Sequence, residues 1–503
     1  NSQFYQNLSY NYIVMAKFSK FPKQNVLLIL ILLLATTLRF FDYQNRFVLN
    51  QDQSRDAIIS LYSIRNLKVP LLGPYSSAGP YNFGGAYYTL VILITLLFPF
   101  IAGPWIAFTV LSIICIYLFY KIGQNLVSKK LGIIMALIGA VSPSLVENSS
   151  DMLNTVAVFF AVTLNFYLLS LYLKKSKNIY LYFVGFSVGL ANNFHFQSLG
   201  FGSILIAFLL INFKNIKQLC FNIILVATGF ITSFLPNLIF DFLNNFSWSK
   251  SVLTYYLGGG VDKFYYPVRW LTDLRDFWPQ LWGNTITGFP LFGYILISIY
   301  IITFIKPHKI ISIKKFNLVL LLSLLTQVIL MRYYKGVRSK EYLITFYAYF
   351  VFFTSFSLNY FSKNIFIKLV SIAIITIFAL LSCYKVIRNN SQAQEILSLY
   401  RQINQPKVNL YSLNGSNQVN LPIFYLYYRQ NNIDTKNGHK IATCRPNENI
   451  VCPDSKLIIA NSQNYQIYDI SSFTDEQLVD YYHFTPQNIY NWLYINYPNA
   501  KTF

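Results

Sequence analysis

Charged residues are scarce in this chain. Only 12% of its 503 residues are Asp, Glu, Lys or Arg, against about 25% in soluble domains, so a water-soluble globular fold is excluded. Acids are scarcer still, 18 against 40 Lys plus Arg, for a net charge of +22. Such an excess points to nucleic acid or to a membrane. The basic residues form neither a stripe on an amphipathic helix nor a basic tail, which argues against nucleic acid. They sit in short clusters between apolar runs, as in the cytoplasmic loops of polytopic membrane proteins. Five cysteines and four histidines are too few for a disulfide framework or a metal array. Cys115, Cys220 and Cys383 fall inside apolar runs and read as small core residues. Cys444 and Cys452 lie in the polar tail, where one disulfide can form if that tail is outside the cytoplasm.

What is abundant is apolar: 54% of residues are hydrophobic and 18% aromatic. A spanning helix needs about 20 mainly apolar residues. Twelve runs qualify, near 26–41, 86–102, 104–121, 131–146, 152–173, 180–194, 196–212, 219–240, 289–305, 317–331, 341–361 and 365–386. If all twelve cross, the cluster Lys17/Lys20/Lys23 falls on one side and the five later clusters on the other. Removing one crossing between residues 41 and 104 places all six together, as the positive-inside rule requires. The run 86–102 therefore reads as a helix at, or dipping into, the interface, and eleven crossings remain. The first run, which has no small-residue cleavage site, reads as a retained anchor.

With residues 1–25 cytoplasmic, 42–103, 147–151, 241–288, 332–340 and the tail face outside. Residues 26–386 read as the transmembrane part with its outer loop 42–103. Residues 387–503 read as a small soluble α/β domain, with strand-like VNLYSL, PIFYLYY, KLIIA and YQIYDI and a helix-like stretch near DEQLVDYY. The acids fall on or beside the outer segments while the inner loops carry Lys alone, so chemistry belongs on the outer face.

The first outer loop, FVLNQDQSRDAIISLYSIRNLKVPLLGPYSSAGPYNFGGAYYTL, is helical in pattern from Asp52 to Asn66. Asp52 and Asp56 are four apart and share a face, with Arg55 between them, while Ala57, Leu61 and Ile64 form an apolar stripe. An amphipathic helix in the interface would hold these carboxylates at headgroup depth. The alternative is structural: Asp52 as N-cap and Asp56 as a solvated partner of Arg55. Glu147 and Asp151 precede the run 152–173, where an Asp is also a favourable helix cap. His195 interrupts the apolar NNFHFQ and must be paired or line a cavity. MRYYKGVRSKEYL places Arg332, Lys335, Arg338 and Lys340 on the outer side against the charge bias. A lipid phosphate would explain them, as would snorkelling to headgroups. Arg269 is a weaker candidate, and Gly258–Gly260 before Asp262 reads as a hinge.

The strings NQDQSRD, PLLGP and GGAYYTL within 50–88, SPSLVENSSDMLN at 142–154 and GLANNFHFQS at 189–198 resemble the GT-C membrane glycosyltransferases. That group includes the protein O-mannosyltransferases, the aminoarabinose transferases of lipid A and the RgtA/B/C/D-like enzymes. The resemblance covers roughly residues 26–242 and implies an all-α polytopic fold with interfacial helices in the first outer loop. It implies sugar transfer, with inversion, from a polyprenyl-phosphate-linked donor to a lipid, glycan or protein acceptor outside the cytoplasm. The loop acid that serves such enzymes as catalytic base or acceptor-binding group matches Asp52. Many relatives have an adjacent Asp-Glu pair there, whereas here the next acid is Asp56, so the base is one of these two. A second acid matches Asp151, and a histidine at a comparable place matches His195 as a cavity residue. Some relatives need a divalent cation, and two or three carboxylates could hold Mg²⁺ or Mn²⁺ through oxygen. An O-antigen ligase or polysaccharide polymerase, with its loop at 241–288, and a lipid-linked sugar flippase are the other readings of a basic polytopic chain.

Overall fold

The computed structural model describes residues 23–498 and 500, except 78, 258–270, 308–309, 333–337, 362–363, 389–391, 414–416, 445–451, 463 and 475. Lys17, Lys20, Arg269, Lys335 and the Gly258–Asp262 stretch lie outside the described residues.

The apolar runs become helices, because in lipid only an intrahelical ladder satisfies every backbone group. The chain opens with α1 (Lys23–Phe40) and α2 (Gln51–Asn66), then a hairpin of β1 (Leu72–Tyr75) and β2 (Asn82–Gly84), then α3 (Ala86–Leu97). The body follows as α4 (Gly103–Leu126), α5 (Lys129–Val141), α6 (Pro143–Asn148), α7 (Asn154–Lys175) and α8 (Ile179–Phe194). A 3₁₀ turn, Phe196–Gly202, leads into α9 (Ser203–Ile211), then α10 (Ile216–Ser233), α11 (Leu235–Leu243) and α12 (Ser247–Leu257). The bundle closes with α13 (Trp278–Thr287), α14 (Phe292–Ile305), α15 (Ile311–Met331), α16 (Ile344–Tyr360) and α17 (Ile365–Arg388).

The two ends of the bundle differ chemically. At one end Lys174 donates to Asn125 (3.2 Å), Lys315 to Asn212 (3.2 Å), Ser312 to the Leu126 carbonyl (3.2 Å) and Lys306 to the Phe361 carbonyl (2.9 Å). The lysine-bearing turns thus gather together. Helix α3 starts at the other end, where the Ala86 amide donates to Asn193 (2.9 Å). The chain leaves α3 at that same end, where Tyr425 donates to the Ile101 carbonyl (2.7 Å). It enters and exits on one side of the bundle. By length and apolar composition alone, six helices among the described residues can cross a membrane, or seven if α13 and α14 are one bent span.

Several runs are broken. The run 131–146 divides at Ser142 ahead of Pro143, where the Ser142 hydroxyl donates to the Thr285 carbonyl (2.6 Å). The run 219–240 divides before Pro236, which sits in the first turn of α11 and has no backbone N–H to continue a ladder. Residues 241–288, expected as an outer loop, include α12 and α13. Trp282 of α13 is buried and donates to Thr354 of α16 (2.9 Å). The α13–α14 bend of 98° follows Gly288, whose φ of 75° suits glycine and whose Cβ would lie 2.2 Å from the Ser382 hydroxyl.

The tail supplies α18 (Ala393–Ile403), β3 (Val408–Leu413), α19 (Asn417–Arg429), β4 (His439–Cys444), β5 (Ile458–Asn461), β6 (Gln466–Asp469), β7 (Tyr481–His483) and α20 (Pro486–Asn491). The sheet order is β5-β6-β4-β3-β7, with β3 and β4 parallel and the other pairs antiparallel. VNLYSL, KLIIA and YQIYDI are strands as expected. PIFYLYY is not: it lies in α19, buried all round from Val419 to Tyr428, so no polar face marks a helical period. The described part of DEQLVDYY, from Glu476 on, forms turns and then enters β7, whose Tyr481–His483 pairs with the β3 edge. Cys444 and Cys452 form a disulfide, and Cys115 and Cys383 are buried. Cys220, expected in the core, is exposed on α10, because a lipid-facing run is apolar without being interior.

One hydrophobic core runs from the bundle through α2 into α19 and α20. Helix α2 was expected to lie open in the interface. Instead it is buried from Gln53 to Ser63, because the tail domain covers it: the Tyr62 ring packs at a tilt against Tyr490, centroids 4.9 Å apart, and Arg65 lies 4.3 Å over the Tyr428 ring.

Candidate active site

At the end of the bundle opposite the lysine turns is a cavity of about 720 Å³. Its walls come from the start of α2, the β1–β2 hairpin, the turn before α7, the α8–α9 junction, α12, and residues 327–331 and 339–346. Asn50 caps α2 by accepting the Gln51 amide (2.8 Å), which sets Asp52, Gln53 and Arg55 in the first turns on the cavity wall. Gly84 closes the hairpin against Asn193 so tightly that a Cβ would meet that amide at 2.0 Å.

Arg55 orders the carboxylates of α2. Its Nη1 pairs with Asp52 at 2.8 Å and its Nε with Asp56 at 2.9 Å, and its guanidinium lies over the Tyr75 ring at 5.3 Å. Asp56 also accepts the Tyr88 hydroxyl at 2.7 Å. Its side chain is 1% exposed and it is not among the cavity-lining residues, whereas Asp52 lines the cavity with its side chain 54% exposed. The two acids that shared a face in the sequence thus separate into one that reaches the cavity and one that anchors Arg55 from behind. Asp52 is not the N-cap, and Asp56 is not solvated.

Asp151 comes to the same cavity, 2.7 Å from the Gln53 amide nitrogen that donates to it. Burial pushes its carboxyl up to about 7, opposed by that hydrogen bond and reinforced by Glu341. His195 also lines the cavity, between Phe83 (ring centroids 4.3 Å) and Tyr342 (5.3 Å). Its Nδ1 accepts the Gln197 amide (3.2 Å), which puts the proton of the neutral ring on Nε2. Burial pushes it down to about 3, so it is an uncharged wall residue.

The basic cluster is arranged differently from its expected role as a phosphate clamp. Arg338 makes a two-pronged pair with Asp273 (2.8 and 2.9 Å), donates to the Met331 carbonyl (3.2 Å) and lies 4.7 Å over the Phe277 ring. Lys340 pairs with Glu147. Arg332 is buried beside Met331. None of these three lines the cavity; Ser339, Glu341 and Tyr342 do. Among the described residues no three His, Cys, Asp or Glu side chains gather as a metal-holding group.

Sequence reasoning missed Gln53, Thr155 and Gln197 on the cavity wall, and Tyr88, Asn193 and Asp273 behind it. Gln53, Tyr88, Asn193 and Gln197 lie within the strings singled out, but polar uncharged side chains announce no chemistry without geometry.

A family profile described as dolichyl-phosphate-mannose-protein mannosyltransferase matches residues 87–240. No curated protein matches the chain. Among solved structures, ArnT from Cupriavidus metallidurans bound to undecaprenyl phosphate is similar over 88% of this chain and 97% of its own, at 9% identity and a TM-score of 0.58. The Archaeoglobus fulgidus oligosaccharyltransferase, in complex with Zn and sulfate, is similar over 76% of this chain at 14% identity and a TM-score of 0.51. This chain spans 56% of that enzyme's length.

Proposed function

We propose that the chain is a GT-C-type glycosyltransferase that transfers a sugar from a polyprenyl-phosphate carrier to an acceptor hydroxyl in this cavity, with Asp52 as base; the profile match over residues 87–240 and the likeness in fold to ArnT and the oligosaccharyltransferase support this reading. The observation that carries the reading is the partition of the α2 acids: Asp52 stands on the cavity wall, held in place by Arg55, while Asp56 is sealed behind it. The Asp52 carboxylate takes the acceptor proton as the acceptor oxygen bonds to the anomeric carbon. The bond from that carbon to the phosphate oxygen breaks, and the polyprenyl phosphate leaves with the bonding pair. A single displacement of this kind inverts the anomeric centre. General-base assistance contributes roughly 10²- to 10⁴-fold.

Arg55 is the cation on the described wall that faces the charge developing on the leaving phosphate. Arg269 and Lys335 are proposed as its further ligands. Arg332, Arg338 and Lys340 act in this reading through the segment they fix. Asp151 and His195 shape the site, the first as a hydrogen-bonding acid and the second as a neutral stacking surface. One or two carboxylates together with phosphate oxygens suffice for Mg²⁺ or Mn²⁺, and Asp52, Asp151 and Glu341 on the cavity wall are the residues that would hold such an ion and help it neutralise the leaving phosphate. The gathering of lysines at the opposite end supports a cavity on the outer face of the cytoplasmic membrane. The acceptor is a lipid, glycan or protein hydroxyl reaching that face.

The test is transfer by the purified full chain in nanodiscs, using radiolabelled decaprenyl-phosphate hexoses and pentoses with a membrane extract as acceptor. The product's anomeric configuration is read by NMR. Transfer with inversion is expected; transfer with retention would overturn the single displacement, and no transfer from any donor would overturn the function.

A further inference from the structure

The β1–β2 hairpin on the cavity wall has little support of its own. Its strands are four and three residues long, and a two-stranded hairpin alone is marginal in water. Tyr81 and Phe83 line the cavity and Asn82 between them does not, as the alternation of side chains along extended chain requires. The Asn82 side chain turns the other way, into the protein, where it is fully buried. Its Nδ2 donates to the Gly73 carbonyl of β1 (2.9 Å) and to the Leu493 carbonyl of the tail domain (2.8 Å). Its Oδ1 accepts the Asn496 side-chain amide (3.3 Å), so both donors and the acceptor of the amide are engaged. The Asn82 carbonyl in turn accepts the indole N–H of Trp248 at the start of α12 (2.9 Å). The tail segment that meets Asn82 is itself pinned, with the buried rings of Tyr494 and Tyr497 centred 6.3 and 5.4 Å from Phe240 of α11. On the cavity side, Tyr81 meets Phe196 (5.5 Å) and Tyr255 of α12 (4.9 Å), and Phe83 meets His195 (4.3 Å).

Resting on the glycosyl-transfer reading, we propose that residues 492–497 of the tail domain are a strut for the cavity, and that Asn82 is the positioning residue through which they hold Tyr81 and Phe83 against the bound donor. The tail domain thereby takes a part in the reaction that sequence distance conceals, since Leu493 lies 411 residues from Asn82. Removing the amide leaves the buried Gly73 and Leu493 carbonyls without this donor, which is unfavourable, and frees the hairpin from its support. Asp52 and Arg55 keep their places, because α2 is capped by Asn50 and Arg55 is anchored by Asp56. The loss therefore falls on donor binding more than on the chemical step, and it appears in KM before kcat.

The experiment compares the full chain in nanodiscs with Asn82→Ala, Tyr497→Ala and Tyr497→Phe. It reads the thermal midpoint, hydrogen–deuterium exchange of the peptide covering residues 70–85, and kinetics with a decaprenyl-phosphate sugar that the wild type uses. Asn82→Ala and Tyr497→Ala are expected to speed hairpin exchange by about tenfold and to raise KM for the donor by about tenfold, with kcat within about threefold of wild type. Tyr497→Phe, which keeps a ring against Phe240, should restore both. A purely structural role would lower the midpoint and leave the KM of the folded enzyme where it was. Should Asn82→Ala fail to fold, Tyr497→Ala, which does not line the cavity, carries the test. A folded Ala variant with wild-type exchange and wild-type KM, or one that loses kcat alone, would overturn the inference while leaving glycosyl transfer standing. Absence of transfer from every donor would remove the function instead. Hairpin exchange and affinity for decaprenyl phosphate would then decide the inference, and unchanged values in Tyr497→Ala would overturn it.

Discussion

Residues 50–56 and 338–342 reach one cavity from distant parts of the chain, and both interleave acids with bases. On α2 the base is the inner partner: Arg55 is buried between two acids and leaves Asp52 half-open on the wall. In the later segment the bases are turned away, Arg338 into a buried pair with Asp273 and Lys340 to Glu147 at the rim, while Ser339, Glu341 and Tyr342 face the cavity. The difference teaches that charge in a sequence is not charge in a site. What matters is which member of each pair is desolvated and which one keeps access.

Disturbing the inner partners should do the most damage. Asp56→Ala removes the buried anchor of Arg55 and of the Tyr88 hydroxyl, and breaking a buried pair costs about 3–5 kcal/mol. A large drop in thermal midpoint is expected, and an unchanged midpoint would mean that this pair does not organise α2. Asp273→Ala should follow at about 3 kcal/mol, since both side chains of its pair are under 10% exposed. It should also raise KM more than it lowers kcat, because it frees the strap that carries Tyr342 without touching Asp52.

Asp151 gives a pH signature. Its folded value near 7 lies above the ordinary carboxyl value near 4, so the native state holds its proton more tightly than the unfolded chain does. The stability this lends is complete below about pH 4 and is lost as pH rises through 7. Asp151→Asn abolishes that slope, so the variant's midpoint relative to wild type should be several degrees more favourable at pH 8 than at pH 5. The smallest effect belongs to Glu147→Gln. Its pair with Lys340 is 41% and 55% exposed, worth at most about 1 kcal/mol, and added salt should erase what remains.

Much of this architecture was legible because lipid imposes simple rules. Apolar length located the helices, and α3, the run that the lysine bias set apart, begins and ends at one end of the bundle. The helix over α2 was legible from its spacing, and Asp52, Asp151 and His195, singled out from the sequence, line one cavity. The rest was hidden for physical reasons. Asp52 and Asp56 are equivalent on a helical wheel, and only the tail domain packed over α2 together with Tyr88 from α3 tells them apart. Arg338 and Lys340 looked available because their partners, Asp273 and Glu147, lie 65 and 193 residues away. In the tail, α19 was mistaken for a strand because burial on every side leaves no alternation to read.

The most direct test of the account is the turnover of Asp52→Asn in nanodiscs, measured beside donor binding by the same sample. The account predicts that kcat falls by roughly 10²- to 10⁴-fold, while the dissociation constant for a decaprenyl-phosphate hexose that the wild type uses stays within about threefold. A variant that turns over at the wild-type rate would contradict it, whatever the fold.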